Sequence, residues 1–189
     1  MEDLIAFVRI AKNAGADRLR FCDTVGILGP SQTAAKIETL RQEVGLPIEI
    51  HTHNDFGMAT ANSIVGFKAG AEFISVTVNG LGERAGNAAL EEVVMALKYV
   101  ENLPIAFDFS KIRPLSELVA KASGREIPLS KPIVGKNVFA HESGIQVDGL
   151  MKALNTYEVF HPSEIGGERQ ILIGKHSGKS AVKMKFKEF

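Results

Sequence analysis

The sequence predicts an α/β fold, a parallel sheet with helical crossovers followed by a mostly helical accessory region. Three observations carry this. Helix-like and strand-like stretches alternate at regular spacing through the first hundred residues, reading helix and then strand–helix three times. Ala14-Gly15-Ala16-Asp17 recurs as Ala69-Gly70-Ala71-Glu72, each just before a strand. Beyond Leu103, Pro104, Pro114, Pro128, Pro132 and Pro162 break the alternation. Residues 1–103 therefore form the sheet-bearing part and residues 104–189 the accessory part.

Leu4, Ile5, Val8 and Ala11 fall at the helical period over residues 3–14, and Gly15 is a natural stop. Arg18 to Thr24 reads as a short strand, and Ile27 to Pro30 as loop. Ser31 is a fair N-cap for a helix with Ala34, Ile37, Leu40 and Val44 on one face, ended by Gly45. The stretch Ile48-Glu49-Ile50-His51-Thr52-His53-Asn54-Asp55-Phe56-Gly57 begins as a strand. A helix with Ile64, Val65 and Phe67 then stops at Gly70, and Glu72 to Asn79 reads as the third strand. A glycine-rich turn follows, and Asn87 is placed to cap a helix with Leu90, Val93, Val94 and Leu97 on its buried face. Glu91 and Glu92 lie in that helix's first turn, where acid suits the dipole. In the second part, Lys111 to Ser123 and Leu150 to Tyr157 read as helices, and the stretch from Ile171 as a short apolar strand.

Composition narrows the function classes. A formal net charge of zero over 189 residues gives no support for nucleic-acid binding. The single cysteine excludes an intrachain disulfide and points to a reducing, cytoplasmic setting. The acidic opening Met1-Glu2-Asp3-Leu4 and the lack of a long apolar run argue against a signal peptide or a membrane span.

Residues two apart on a strand share a face, so His51 and His53 present two imidazoles side by side. Neutral imidazole is a common ligand for divalent metals. The plainer alternative is one buried, hydrogen-bonded histidine and one exposed. In parallel sheets ligands sit at the carboxyl ends of the strands. The three ends here carry Asp23 and Thr24, then His51 and His53, then Asn79, polar groups that would converge on one face.

His-Thr-His-Asn-Asp-Phe-Gly at 51–57, Asp-Thr-Val-Gly at 23–26 and Asn-Gly-Leu-Gly-Glu-Arg-Ala-Gly-Asn at 79–87 resemble the homocitrate synthase and 2-isopropylmalate synthase family. So do His-Glu-Ser-Gly-Ile at 141–145 and Gly-Lys-His-Ser-Gly at 174–178. The likeness covers nearly the whole chain and looks nearest to the homocitrate synthases associated with nitrogen fixation. It implies a TIM barrel, of which this chain is the last three βα units plus the region that follows. It implies condensation of acetyl-CoA with a 2-oxo acid at a divalent metal; magnesium, manganese, zinc or cobalt suits such ligands. Carried over by motif, His51 and His53 are metal ligands, Asn79 lies close to the metal, and Thr24 binds the substrate carboxylate. Glu49, on the same strand face as His51, would sit near the reacting groups. His141 would be the acid/base, supplied across a dimer interface, with Tyr157 near it; the blander reading of Tyr157 is a core aromatic. Lys175-His176-Ser177 would bind an anion or, preferably, pack at an interface, and Cys22 reads as a core residue.

The family's first-strand motif, Asp-Thr-Thr-Leu-Arg-Asp-Gly-Glu, which supplies an acidic metal ligand and a substrate-binding arginine, does not occur here. Three βα units cannot close an eight-stranded barrel. The resemblance therefore implies the C-terminal portion of a homocitrate synthase, working with an N-terminal polypeptide that carries the first strands, or a truncated product of one longer enzyme. A fragment of an isopropylmalate or citramalate synthase, and a non-catalytic interaction module that kept the fold, remain the alternatives.

Overall fold

The computed structural model describes residues 1–175 together with 177, 178, 182 and 185, and the chain divides into two compact units, Met1–Leu103 and Pro104–Phe189. The first unit is an α/β layer. Helix α1 (Glu2–Asn13) leads into strand β1 (Leu19–Asp23), helix α2 (Pro30–Val44), strand β2 (Ile48–Thr52), helix α3 (Ala59–Lys68), strand β3 (Phe73–Ser75) and helix α4 (Leu90–Tyr99). The strands run parallel in the order β1-β2-β3, with Cys22 opposite His51 and His51 opposite Ser75.

One face of the sheet packs on the helices. Phe21, Ile48 and Ile50 meet Val8 of α1 and Ile37, Leu40 and Val44 of α2 in a buried cluster. Gly66 of α3 gives room for Ile50, whose Cδ1 would have to shift to admit a Cβ there. The other face carries Arg18, Arg20, Cys22, Glu49, His51, Phe73 and Ser75, by strand alternation and register. That is the face that lines the interior of a closed barrel. Cys22 is accordingly exposed rather than part of the core.

In the first unit, three boundaries differ markedly from the sequence expectation, each for a local reason. Helix α2 starts at Pro30 rather than after a Ser31 cap, since proline's fixed φ suits the first helical position. Gln32 Oε1 accepts the Gly29 N–H at 3.1 Å and closes that end. Strand β3 is only three residues long. The chain leaves the ladder after Ser75, touches Ala89 in an isolated bridge at Thr77, and turns at Asn79, whose φ is +61°. Asn79 therefore sits in a turn past the strand rather than at its end. Helix α4 begins at Leu90 behind Ala89 with no side-chain cap, so Asn87 does not cap it.

The second unit holds helix α5 (Ile112–Ser123), strand β4 (Ala140–His141), helix α6 (Gly144–Lys152) and strand β5 (Gln170–Ile171). Strands β4 and β5 pair in parallel, with Ala140 opposite Gln170. Helix α6 starts six residues before the predicted helix and ends before Tyr157. Among the described residues, no helix is long and apolar enough to cross a membrane.

Candidate metal centre

His51 and His53 converge. His51 is the penultimate residue of β2; His53, one residue past the strand, is held by an isolated antiparallel bridge to Asn87. Their Nε2 atoms lie 3.3 Å apart, with the rings edge-on at 83°. Two imidazole nitrogens bound to one divalent ion at about 2.0–2.1 Å lie roughly 3.0–3.4 Å apart at ordinary interligand angles. The pair fits that requirement.

The tautomers fit as well. His51 Nδ1 is 3.1 Å from Ser75 Oγ, one rung across the β2–β3 ladder. If that nitrogen carries the proton, the Nε2 lone pair faces His53. A hydrogen-bond partner behind a ligating imidazole is the usual way such rings are oriented. Burial above all, and then the His53 imidazole and Arg20, lower the His51 pKa, against a smaller opposing effect of Glu49. The neutral ring, which is the ligating form, is thereby favoured. His53 is 8 % exposed, and its Nδ1 is buried with no hydrogen-bond partner among the described residues. Among the described residues, no group of three or more His, Cys, Asp or Glu is placed to hold a metal ion. Among the described residues, the two imidazoles alone do not make up a coordination sphere.

Asn87, which sequence reasoning places as a helix cap, lies beside His51 instead. Its Nδ2 lies 3.3 Å from His51 Nε2 and 3.3 Å from the Thr52 carbonyl oxygen. The glycine-rich turn brings it there. A Cβ on Gly82 would collide with the Asn87 amide, and one on Gly86 with the Gly80 carbonyl. The signal in the sequence is an amide directly after three closely spaced glycines, Gly80, Gly82 and Gly86. Asn79, three residues before Gly82, uses its backbone N–H to donate to Glu91 Oε2 at 3.0 Å.

The remaining expected residues divide. Asp23 is 4 % exposed and closes its own loop, accepting the Ile27 and Leu28 N–H groups at 3.1 Å each. Thr24 is exposed, and its carbonyl accepts from Arg84 Nη2 at 2.7 Å. Arg84 also forks onto Asp55, at 2.8 and 3.0 Å, so one guanidinium ties the loops after β1, β2 and β3 together. The Arg84 hydrogen bond first, and its charge besides, hold the Asp55 carboxyl below its ordinary pKa. Replacing Arg84 with alanine should leave the melting temperature almost unchanged, because the pair is exposed. Amide hydrogen exchange at Gly26 and Gly57 should nonetheless accelerate. Unchanged exchange there would show that the latch does not hold the loops.

Glu49 shares the open sheet face with His51, but its carboxylate is engaged by Arg18 at 3.2 Å and Arg20 at 2.8 Å. It works as the centre of an ion cluster one step toward the amino end of the strand. In the second unit, His141 is 6 % exposed and its Nε2 is 3.0 Å from Glu158 Oε1. Tyr157 is 43 % exposed and lies against Gly149 of α6, where any Cβ would strike its ring. It is not a core aromatic. Ser177 Oγ accepts the Gly174 N–H at 2.9 Å and contacts the Glu142 and Leu172 carbonyls, while Lys175 is exposed. His176 lies outside the described residues.

Comparisons with known proteins bear on the family and the fold. Residues 1–119 match the HMGL-like family model, and residues 133–189 match the homocitrate synthase post-HMGL domain-like model. The chain is 65% identical over its whole length to 2-isopropylmalate synthase 2 of Caldanaerobacter subterraneus, covering 49% of that protein. It is 54% identical over 91% of its length to homocitrate synthase 1 of a Nostoc species, covering 46% of it. The chain thus spans about half the length of the curated relatives it matches. In structure it resembles the HMG-CoA lyase of Bacillus subtilis, with a TM-score of 0.61 and 24% identity over 67% of this chain and 45% of the lyase. That likeness bears on the fold alone, a partial (β/α)8 barrel. With the HMGL-like match covering residues 1–119, the chain belongs to the HMGL-like family, and its relatives include homocitrate and 2-isopropylmalate synthases.

Proposed function

We propose that this chain is the C-terminal portion of a condensing synthase that joins the acetyl group of acetyl-CoA to the carbonyl carbon of a 2-oxo acid. The observation that carries this is the 3.3 Å approach of His51 Nε2 to His53 Nε2 at the carboxyl end of β2. A divalent cation bound there would polarise the oxo-acid carbonyl as a Lewis acid. His51 and His53 would hold it, and we place the neighbouring amide at Asn87, by its contact with His51, rather than at Asn79. Thr24, in the loop tied down by Arg84, would face the substrate carboxylate. His141 of a second copy would remove a proton from the thioester methyl group, the enolate carbon would attack the carbonyl, whose oxygen takes up a proton, and water would then hydrolyse the resulting thioester to release CoA. Tyr157 would lie near it. The missing carboxylate ligand and the remaining barrel strands would come from an N-terminal polypeptide.

For the acceptor, 2-oxoglutarate giving homocitrate is the primary reading, by resemblance to the synthases of nitrogen fixation. The 65% identity with a 2-isopropylmalate synthase favours 3-methyl-2-oxobutanoate as a second reading. CoA release from acetyl-CoA should be assayed with each acid, first with this chain alone and then with the N-terminal half of the Caldanaerobacter relative added. The chain alone should show no turnover above background, and the mixture should release CoA with one acid preferred. Full turnover by the chain alone would refute the half-enzyme reading. No turnover by a mixture shown to form a stable complex would refute the synthase reading.

A further inference from the structure

The second unit contains a buried charged cluster that the family resemblance did not point to. Glu158 is 7 % exposed, and two groups meet it. His141 Nε2 lies 3.0 Å from Oε1. Arg169 forks onto the same carboxylate, with Nε 2.8 Å from Oε1 and Nη2 2.5 Å from Oε2. The fold brings these groups together. Ala140 pairs with Gln170 and the Leu172 N–H donates to the His141 carbonyl at 2.9 Å, which places Arg169 beside the histidine's strand. His141 Nδ1 makes no hydrogen bond among the described residues.

We propose that Glu158, clamped by Arg169, is a positioning residue that fixes His141 as the Nε2–H tautomer and leaves Nδ1 as the nitrogen that exchanges the proton. An ionised carboxylate can only accept, so the imidazole nitrogen facing it must donate. Arg169 keeps the carboxylate ionised and supplies only donors, so Glu158 cannot turn round and donate to the ring. When Nδ1 takes a proton from the substrate C–H bond, the bonding pair passes into the enolate. The imidazolium left behind is balanced by Glu158, which stays ionised. The arrangement rests on the reading of His141 as the acid/base.

The test has two arms. Two-bond 1H–15N correlation on the labelled full chain, at a pH where the ring is neutral, should show His141 protonated at Nε2 and bare at Nδ1. The wild-type spectrum alone decides this, so a variant that fails to fold cannot obscure it. A ring protonated at Nδ1, or an even mixture of tautomers, would overturn the proposal. In the assembled enzyme, Glu158→Gln keeps an acceptor but loses the charge. It should lower kcat by at least about 10-fold and up to about 10⁴-fold, the loss that follows when the carboxylate behind an acid/base imidazole becomes an amide, with KM for both substrates nearly unchanged. A Glu158→Gln enzyme with normal kcat would also overturn it. If the tautomer is as stated but His141→Ala turns over normally, the acid/base reading fails. The working-nitrogen assignment then falls with it, and the tautomer assignment stands.

Discussion

Alanine at His51 or at His53 should strip the assembled enzyme of its metal and of its turnover while leaving the fold in place. Each substitution removes one of the two nitrogens that meet at 3.3 Å, so neither variant retains a paired site. Metal affinity should fall by more than about 100-fold, since even the partners behind a ligating histidine are worth 10–100-fold. The fold should survive because the residues that hold this unit together, Phe21, Ile37, Leu40, Ile48 and Ile50, lie on the other face of the sheet. Ser75→Ala and Asn87→Ala provide a graded control. They leave both ligands but loosen the His51 ring, and should cost about 10–100-fold in affinity. Metal content after exhaustive dialysis, with circular dichroism for folding, is the measurement. Equal metal in wild type and both histidine variants would show that the pair is a hydrogen-bonded couple and not a ligand set.

The parts of this molecule that were legible in its sequence are those governed by local periodicity. The strand–helix alternation, the apolar stripe Ile37-Leu40-Val44 and the positive-φ glycines at 15 and 70 write the parallel sheet directly into the chain. The histidine pair was legible for the same reason, because a period of two is enough to place both rings together. What was less legible depends partly on the path of irregular backbone and partly on contacts between neighbouring strands. Asn87 looked like a helix cap; only the crossing of the 80–87 turn over the end of β2 carries its amide to His51. Glu49 was placed on the correct face, but Arg18 and Arg20 engage it, and an ion pair across a register is not marked by spacing. Cys22 reads as apolar core until strand alternation is counted from Phe21, which puts it on the open face. Glu158 and Arg169 lie 17 and 28 positions after His141, in a region without periodic pattern, and no sequence rule joins them.

His141→Ala should separate proton transfer from metal binding. Deprotonating a thioester methyl group needs a base poised near neutral pH, and imidazole, with an ordinary pKa of about 6.5, is the side chain suited to it. Turnover should therefore fall by roughly 10²–10⁴-fold, the usual cost of a lost general base. Metal content and 2-oxo-acid affinity should stay near wild type, because His51, His53 and Asn87 are untouched. Structural collapse is not the expected outcome, although His141 is buried. Burial raises the Glu158 pKa, but hydrogen bonds from Arg169 and His141 and their charges outweigh it and leave the carboxyl below its ordinary range. With His141 gone, the two-point Arg169 fork remains, so the buried carboxylate still has its cation. If the histidine acts across a dimer, mixing His141→Ala protein with His53→Ala protein should restore part of the activity. One site in each hybrid would then have an intact metal pair and an intact base. Confirmed hybrid dimers without recovery would rule out action in trans. A His141→Ala enzyme with wild-type turnover would rule out the acid/base role altogether, leaving the His141–Glu158–Arg169 cluster as internal architecture of the second unit.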